Sequence, residues 1–288
     1  MDVHDSYEAY RPLLHSIAYR MLGTNSEAED AVQDVFADYI RHRPDEVNNE
    51  KAYLIRMLTN RCLNLLQSAR KRREVYTGNW LPEPDVSLVQ QDPAELYDRN
   101  ETISYGLLVM LEQLSAVERA VFILRESLQY EYSEIAYYLQ KSEANCRKIY
   151  SRAKSKLMQN QPALPAPSAA AEPLAAAFIA AARSGDFDAL VELLTEEAAL
   201  VTDGGGKVRA AIFPILGRDR VLAFLKGVIP RGLLGEDNRF AAVNGQTGII
   251  LMENGQVKSV LSFQIDEQQG KADKIFILAN PEKLGHIR

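Results

Sequence analysis

The sequence predicts a multidomain protein with an all-α N-terminal part followed by an α+β C-terminal domain. Apolar residues recur at three- and four-residue spacing through 7–73 and again through 101–158, which is typical of amphipathic helices. Beyond residue 173, helical stretches are mixed with apolar or alternating stretches between glycine-rich turns, which favours helices packed on a curved antiparallel sheet. The chain has 288 residues, 47% of them apolar, so it can bury several separate cores.

The first helical domain is expected at 1–75. One of its helices carries an apolar stripe formed by Ala28, Ala31, Val32, Val35, Phe36 and Tyr39. The polar residues Asp30, Gln33 and Asp34 lie off this stripe. A second helix has its own apolar face and then runs into four consecutive basic residues: Arg70, Lys71, Arg72 and Arg73.

A linker is expected at 76–100, where the sequence reads "YTGNWLPEPDVSLVQQDPAELYDRN". Three prolines and the absence of a sustained period distinguish this segment from the helices on either side. It also contains Trp80, the only tryptophan of the chain. Because a flexible spacer has little use for a tryptophan, we expect this linker to pack against another part of the protein.

The second helical domain is expected at 101–158. A capping box formed by Ser115 and Glu118 begins one of its helices. The segment "YSEIAYYLQKSEANCRKIYSRAKSKL" at 132–157 then predicts a short helix, a tight turn at Gln140 and Lys141, and a longer helix capped by Ser142. This order is a helix-turn-helix pattern.

The second helix of this pattern has one apolar face and one basic face. The apolar face holds Cys146, Ile149, Tyr150, Ala153 and Leu157. The outward face and its flanks hold Asn145, Arg147, Lys148, Ser151 and Arg152. Since the second helix of a helix-turn-helix enters the major groove of DNA, these residues predict DNA binding. A solvated basic face on an ordinary helical hairpin is the alternative interpretation.

Charge is segregated along the chain, although the formal net charge is −6. Residues 51–73 hold seven basic and no acidic side chains, and residues 141–156 hold six basic and one acidic. The segments 2–50 and 74–134 are acidic, with 11 and 12 acidic side chains against four and three basic ones. Phosphate contacts require only local positive charge, so two separate DNA contacts are compatible with an acidic protein. The acidic segments suggest a second, basic protein partner.

A Pro- and Ala-rich tether is expected at 159–172, followed by the C-terminal domain at 173–288. In that domain we expect helices at about 174–194 and 217–228, on the pattern of apolar spacing. Strands are expected at 197–213, 238–252, 256–266 and 272–279, punctuated by the turns "DGGGK", "NGQ" and "ENGQ".

Neither a membrane span nor a secretion signal is predicted. No apolar run reaches the roughly 18 residues that a span requires, and "MDVHDSYEAY" lacks the basic and apolar blocks of a signal peptide. We therefore expect a cytoplasmic protein that does not enter the membrane. Cys62 and Cys146 each fall on an apolar helical face, which indicates free buried thiols. Neither a metal site nor a cofactor is expected.

The first 158 residues resemble an RNA polymerase sigma factor of the extracytoplasmic-function type. "EDAVQDVF" at 29–36 is similar to the region-2 segment that docks on the polymerase clamp, which would give this role to Asp30, Gln33 and Asp34. "AYLIRMLTNRCLNLLQSARKRRE" is similar to the segment that melts and reads the minus-ten promoter element. The resemblance implies DNA contacts by Arg56, Asn60, Arg61, Arg70, Lys71, Arg72 and Arg73.

The helix-turn-helix resembles the region-4 reader of the minus-thirty-five element. Arg147, Lys148, Ser151 and Arg152 match positions that face DNA in that family, which agrees with the helical periodicity. One departure is Gln140, since the family commonly has glycine in this turn. The departure would alter the turn without abolishing it.

Three strings narrow the resemblance to the subgroup that carries a fused SnoaL-like C-terminal domain. They are "WLPEP" at 80–84, "DGGGK" at 203–207 and "NPEKL" at 280–284. The resemblance implies that the extra domain regulates activity by contacting the sigma core and replaces a separate anti-sigma protein. The implied regulatory contacts are Trp80, Leu81, Pro82, Asp203, Gly204, Gly205, Gly206, Lys207, Asn280, Pro281, Glu282, Lys283 and Leu284.

Two other functions were weighed against a transcription initiation factor that binds core RNA polymerase and promoter DNA. Residues 173–288 contain no Tyr, Trp or Cys and only one His, His286, so the donors that a SnoaL-like enzyme needs are missing and no catalytic residue is assigned. Asp203 beside three glycines is typical of a turn. A one-component regulator with a ligand-sensing C-terminal domain needs only the helix-turn-helix. The acidic 29–36 face and the basic 51–73 segment argue against it.

Overall fold

The computed structural model describes residues 3–42, 49–73, 76–88, 103–159, 164–229 and 237–287, except for the side chains of 69–73 and 88. The side chains of Arg70, Lys71, Arg72 and Arg73, and the linker residues 89–100, therefore lie outside the described residues. In chain order the elements are α1 (Val3–Leu22), α2 (Asn25–His42), α3 (Glu50–Arg73), β1 (Val86–Leu88), α4 (Tyr105–Leu111), α5 (Ala116–Phe122), a π-helical segment (Ile123–Ser127), α6 (Tyr132–Leu139), α7 (Glu143–Leu157), α8 (Ala171–Ser184), α9 (Asp188–Glu192), β2 (Leu194–Asp203), β3 (Ile215–Leu216), α10 (Arg218–Val228), β4 (Asp237–Val243), β5 (Gln246–Glu253), β6 (Gln256–Asp266), β7 (Lys271–Leu278) and a 3₁₀ turn (Pro281–Lys283).

Two compact units make up the chain. The helical unit comprises Met1–Glu74 and Met110–Leu164, and the sheet unit comprises Val75–Val109 and Pro165–Arg288. Both predicted helical domains therefore fall largely in one unit, while the predicted linker joins the C-terminal domain. None of the helices in the described ranges combines the length and apolar character that a membrane span requires.

The helical unit is built from amphipathic helices whose buried faces agree with the sequence periodicity. In α2 the six buried residues are the six of the predicted stripe. Helix α5 begins with the predicted capping box, because Ser115 accepts from the backbone N–H of Glu118 while Glu118 accepts from that of Ser115. Burial alone would raise the pKa of Glu118, but hydrogen bonds from Lys156 and Ser115 lower it to about 2.

One buried guanidinium joins α5 to α1 within the helical unit. Arg119 is 2% exposed and donates to the carbonyl oxygen of Met21, at 2.8 Å, and to Glu112, at 2.7 Å. An ion pair shielded in this way is costly to break, since the remaining charge stays buried. The N- and C-terminal parts of the helical unit are therefore held together by a polar contact as well as by apolar packing.

The helix-turn-helix forms as predicted. Helix α6 ends at Gln140, which has left-handed backbone angles of φ 52° and ψ 47°. Ser142 then caps α7 by accepting from the N–H of Asn145. Cys146, Ile149, Ala153 and Leu157 are buried along one face of α7. Both cysteines of the chain are free and buried, as expected.

The sheet unit contains a seven-stranded sheet in the order β1-β4-β5-β6-β7-β2-β3. Five of its six strand pairs are antiparallel, as expected, and the expectation is wrong for one pair, because β2 and β7 run parallel. The predicted strand 197–213 is also wrong in its second half. Strand β2 ends at Asp203, because Gly205 and Gly206 take positive φ values and turn the chain out of the sheet.

Both faces of this sheet are covered. Helices α8, α9 and α10 pack on one face, around a core that includes Phe178, Leu190 and Phe263. On the other face lies a second core, to which the 75–109 segment contributes Leu81 and Tyr105. Tyr105 packs edge-on against Phe276, with ring centroids 5.4 Å apart. Through Leu81 and Val86, the described part of the predicted linker therefore contributes to a hydrophobic core.

The same segment also extends the edge of the sheet. Strand β1 pairs antiparallel with β4, in the register Val86 to Val243 and Leu88 to Ala241. Asp85 and Asn244 exchange two further bonds, one from each backbone N–H. Because strand edges present unpaired backbone groups, this added strand satisfies part of the edge of β4.

Candidate functional site

The basic face of α7 is open to solvent at the five positions predicted to contact DNA. Asn145, Arg147, Lys148, Ser151 and Arg152 are all exposed, and together they line one open depression of about 590 Å³. Arg147 pairs with Glu143 and lies over the ring of Tyr132, with its guanidinium carbon 4.4 Å from the ring centroid. The helical geometry thus brings the predicted set together on one surface.

The remaining basic residues of α7 point towards the helical unit. Lys154 donates to Glu126 at 3.2 Å and to Tyr150 at 3.2 Å. Lys156 donates to Glu118 at 2.8 Å. These two cations are neutralised by acidic partners on the side away from the depression, so the positive charge that faces a ligand comes from Arg147, Lys148 and Arg152, with that of Arg147 shared with Glu143.

Helix α3 carries the described residues of the second predicted DNA contact. Arg61 is exposed and pairs with Asp34 of α2, with the charged atoms 2.5 Å apart. Asn60 is half-buried. Arg56 lies over the ring of Tyr137 in α6, 5.3 Å from its centroid. Two basic side chains of α3, Arg56 and Arg61, thus already contact neighbouring helices.

The outward face of α2 presents the predicted polymerase contacts. Asp30, Gln33 and Asp34 are exposed, opposite the buried stripe of the helix. The same helix exposes Ile40, at 59%, which the sequence reasoning did not single out. An exposed isoleucine one to two turns beyond an acidic face extends it with an apolar contact. Its position off the apolar stripe is the signal that could have found it.

A densely hydrogen-bonded cluster of side chains lies in the sheet unit, around the buried carboxylate of Asp203. Its side chain is fully shielded from solvent and accepts four hydrogen bonds. Two come from the 75–109 segment, from the hydroxyl of Tyr76 at 2.6 Å and the backbone N–H of Leu81 at 2.9 Å. The others come from the N–H of Gly205, at 2.9 Å, and from Lys283, at 2.7 Å. A buried carboxylate requires such partners, because its charge is otherwise uncompensated.

Lys283 is the cation of this site. It is 6% exposed and donates both to Asp203 and to the carbonyl oxygen of Leu81, at 2.6 Å. Its ammonium nitrogen lies 4.1 Å from the ring centroid of Trp80 and 5.1 Å from that of Tyr76. The expectation that Trp80 packs on another part of the chain is therefore confirmed. A cation against two aromatic faces adds attraction to the ion pair.

The glycine turn fits closely against Asn280. Gly205 has a φ of 63°, and a Cβ at this position would lie 2.4 Å from Cγ of Asn280. Asn280 donates to the hydroxyl of Tyr76 at 2.9 Å and caps the 3₁₀ turn by accepting from the N–H of Glu282. Both the backbone conformation and the lack of space therefore require glycine at 205.

Other predicted regulatory residues lie around this cluster, which we call the Asp203 cluster and define as Tyr76, Trp80, Leu81, Asp203, Gly205, Asn280 and Lys283. Pro82 is buried and accepts from the hydroxyl of Tyr105 at 2.8 Å. Leu284 is buried in the second core of the sheet. Lys207 and Glu282 form an exposed ion pair between the two turns. Gly204 and Gly206 complete the turn after β2, and Pro281 begins the 3₁₀ turn.

Sequence reasoning missed Tyr76 at this site. Burial, followed by its hydrogen bond to Asp203, raises the pKa of Tyr76, so its hydroxyl stays protonated as a donor. It stands four residues before Trp80, in a segment with no period to indicate a buried face. Within the described residues, no group of three or more His, Cys, Asp or Glu side chains is placed to hold a metal ion.

Comparisons with known proteins agree with this architecture. The chain matches the family models Sigma-70 region 2 over residues 6–72 and Sigma-70, region 4 over residues 106–157. It is 34% identical to the ECF RNA polymerase sigma factor SigJ of Mycobacterium tuberculosis H37Rv, covering 96% of this chain and 91% of that protein. It is 30% identical to the probable ECF RNA polymerase sigma factor SigI of M. tuberculosis CDC 1551, covering 100% and 98%.

A solved structure is similar over nearly the whole length. The crystal structure of M. tuberculosis extracytoplasmic function sigma factor SigJ matches with a TM-score of 0.78 and 28% identity, covering 98% of each chain. These findings define the class of protein as a sigma factor, a transcription initiation factor that acts with core RNA polymerase on promoter DNA. Within that class, the chain belongs to the extracytoplasmic-function family, and its SnoaL-like C-terminal fusion fits the SigJ structure.

The region-2 match separates the two DNA-binding hypotheses. A one-component regulator requires only the helix-turn-helix, whereas this chain also carries region 2 over residues 6–72. The interpretation as an initiation factor is therefore confirmed over the regulator.

We predict that Lys283→Met destabilises the sheet unit by about 3 to 5 kcal/mol, since Asp203 would stay buried without its cation. Lys207→Met is the matched control, because it removes the same charge from an exposed pair and should cost no more than about 1 kcal/mol. Urea unfolding followed by the fluorescence of Trp80, the only tryptophan, measures both variants. Equal stabilities for the two variants would contradict the importance of the buried pair.

Proposed function

We propose that the exposed face of α7 reads the upstream promoter element and that α3 contacts the minus-ten element. The depression lined by Asn145, Arg147, Lys148, Ser151 and Arg152 supports the first part, because these residues are exposed, basic or polar, and on one side of the helix. Arginine and lysine bind guanine edges and phosphates, and asparagine and serine add hydrogen bonds. For α3, the proposed contacts are Arg56, Asn60, Arg61 and the basic run 70–73.

Replacing Arg147 or Arg152 with alanine should lower transcription from a promoter selected by the parent protein, by the equivalent of about 1 to 3 kcal/mol for each base-specific contact. In vitro transcription with core polymerase measures the loss. Lys154→Ala is the control, because it removes a charge from the same helix on the side that faces Glu126. A loss for Lys154→Ala equal to that for Arg152→Ala would contradict the assigned face.

We propose that the outward face of α2 binds core RNA polymerase through Asp30, Gln33 and Asp34, with Ile40 as a further contact. These side chains are exposed and contribute nothing to the buried stripe, so a partner can use them without disturbing the core, although it would replace the surface ion pair between Asp34 and Arg61. An acidic face with an adjacent apolar residue suits a basic partner surface.

Asp30→Lys should weaken binding of core polymerase, because it reverses the charge at one position of this acidic face while leaving the buried stripe intact. Polymerase affinity by fluorescence anisotropy is the measurement. Glu267→Lys makes the same charge change in the exposed turn between β6 and β7 and serves as the control. Unchanged affinity for Asp30→Lys would reject the proposed contact.

We propose that the sheet unit regulates transcription by holding the segment that connects region 2 to region 4. The Asp203 cluster carries this proposal, because in it Asp203 and Lys283 hold Tyr76, Trp80 and Leu81, which follow shortly after the end of α3 at Arg73. Strand β1 continues the attachment to residue 88. A chain segment held at so many points cannot adopt the range of spacings that a free linker allows.

The same geometry favours regulation over catalysis in the sheet unit. The carboxylate of Asp203 is shielded from solvent and its oxygens are taken by four donors, so it is poorly placed to act as a base. Burial and Asp203 raise the pKa of Tyr76, which makes it a weaker acid.

We also propose that this domain takes the place of a separate anti-sigma protein and that the factor acts in the cytoplasm with polymerase.

Trp80→Ala and Lys283→Met should change transcription by the full chain in the same direction, because both loosen the same attachment. The double variant should change it by less than the sum of the two, since the two side chains are in contact. Transcription in vitro with core polymerase is the measurement. Lys258→Met is the control, because it removes a cation from an ion pair with Glu253 elsewhere in the sheet unit. Additive effects would contradict regulation through the Asp203 cluster.

A further inference from the structure

The turn of the helix-turn-helix contains a residue whose backbone is strained and whose side chain has a partner outside the motif. Gln140 has a φ of 52°, in the left-handed region where side chains other than glycine and asparagine are disfavoured. When the side-chain amide of Gln140 is turned so that its oxygen faces Arg56 of α3, the orientation that satisfies both groups, it accepts from Nε at 3.3 Å and from Nη2 at 2.5 Å. A glycine would relieve the strain but could not make this contact.

Aromatic rings of α6 and the preceding turn face the basic side chains of α3 beside this contact. Tyr137 of α6 lies 5.3 Å from the guanidinium carbon of Arg56, and Tyr130 lies 5.8 Å from the ammonium nitrogen of Lys51. Tyr138 packs edge-on against both tyrosines. The basic side chains of α3 thus contact aromatic rings and a hydrogen-bonding amide. Unpaired DNA bases offer a protein the same two kinds of group.

We propose that Gln140 is a latch that holds Arg56 against α6 and keeps it from DNA until the latch is released. This inference rests on the proposed role of α3 in binding the minus-ten element. In the closed contact, the guanidinium of Arg56 donates to the Gln140 oxygen and lies against the Tyr137 ring. The same guanidinium face cannot contact a base or a phosphate at the same time. Binding of DNA at α3 therefore competes with the closed contact, and the population of the open form sets the apparent affinity.

The substitution of Gln140 by residues of different reach tests the latch in both directions. Gln140→Gly and Gln140→Asn tolerate the left-handed backbone but cannot reach Arg56, so they should release it. Gln140→Glu keeps the reach and adds a charge that strengthens the bond to the guanidinium. The matched control is Gln129, which also has a left-handed φ, of 56°, is exposed, and is not among the described partners of Arg56.

The first measurement is the distance between α3 and α6 in the full chain, from spin labels at Asn64→Cys and Ser133→Cys, two exposed positions. The native cysteines are buried, so they label slowly. We expect one narrow distance distribution for the parent and for Gln140→Glu. Gln140→Gly and Gln140→Asn should add a longer distance, and the same changes at Gln129 should not. Identical distributions for the parent and both releasing variants would overturn the latch.

The second measurement is the affinity for a fluorescent 12-nucleotide single strand of random sequence, by anisotropy. Release of a charge-assisted hydrogen bond should raise the affinity for this strand by about threefold to tenfold in Gln140→Gly and Gln140→Asn. The affinity of Gln140→Glu should be lower than that of Gln129→Glu, which adds the same charge away from Arg56. Arg56→Ala in the Gln140→Gly background separates the two proposals. If it fails to lower affinity, the proposed role of Arg56 in DNA binding is wrong. If it lowers affinity while the Gln140 variants match the parent, the latch is wrong.

Discussion

The sheet unit depends on a carboxylate that has no access to water. Asp203 ends strand β2, and its charge is compensated by donors from three separate parts of the chain: residues 76–81, the turn at Gly205 and the 3₁₀ turn at Lys283. Removing any one of these segments would leave a buried ion with incomplete solvation, which is among the larger single penalties in a folded protein. Folding of the three segments is therefore coupled, because each needs the others to compensate the charge of Asp203.

This constraint explains why a segment with no secondary-structure period has a fixed place. Leu81 donates its N–H to Asp203 and its carbonyl oxygen accepts from Lys283, while its side chain enters the second core. Strand β1 then continues along β4. Polar, apolar and backbone interactions thus act on the same few residues. In this sigma factor, that segment lies in the chain between the region-2 match, which ends at residue 72, and the region-4 match, which begins at residue 106.

The helical unit has a comparable polar link, although its partners are different. Arg119 joins α5 to the carbonyl of Met21, and Gln140 joins the helix-turn-helix to Arg56. The first guanidinium is buried and paired with Glu112, which favours a permanent contact. The second is half-buried and shared with an exposed tyrosine, which favours a contact that can be exchanged for another ligand. Burial thus distinguishes the two arginines: Arg119 is 2% exposed, whereas Arg56 is half-buried.

Features set by local spacing were predictable from the sequence. The stripe of α2, the capping box at Ser115 and the Ser142 cap depend on residues within one or two turns of a helix, so the sequence contains all the information they need. The strand predicted at 197–213 was wrong beyond Asp203, because its continuation depends on turn geometry at the glycines. The parallel pairing of β2 with β7 was also missed, since strand direction depends on how distant segments meet.

The amino-acid sequence was enough to predict the class of the protein: two basic segments, an acidic face, a helix-turn-helix and three short motifs in order indicated a sigma factor with a C-terminal fusion. Which residues share a site became known from the three-dimensional structure. Tyr76 and Lys283 are 207 positions apart and both contact Asp203, and Arg56 meets Gln140 across 84 positions. Periodicity reports which face of an element is buried, whereas the pairing of buried charges and the partners of exposed ones depend on contacts between elements that no local pattern encodes.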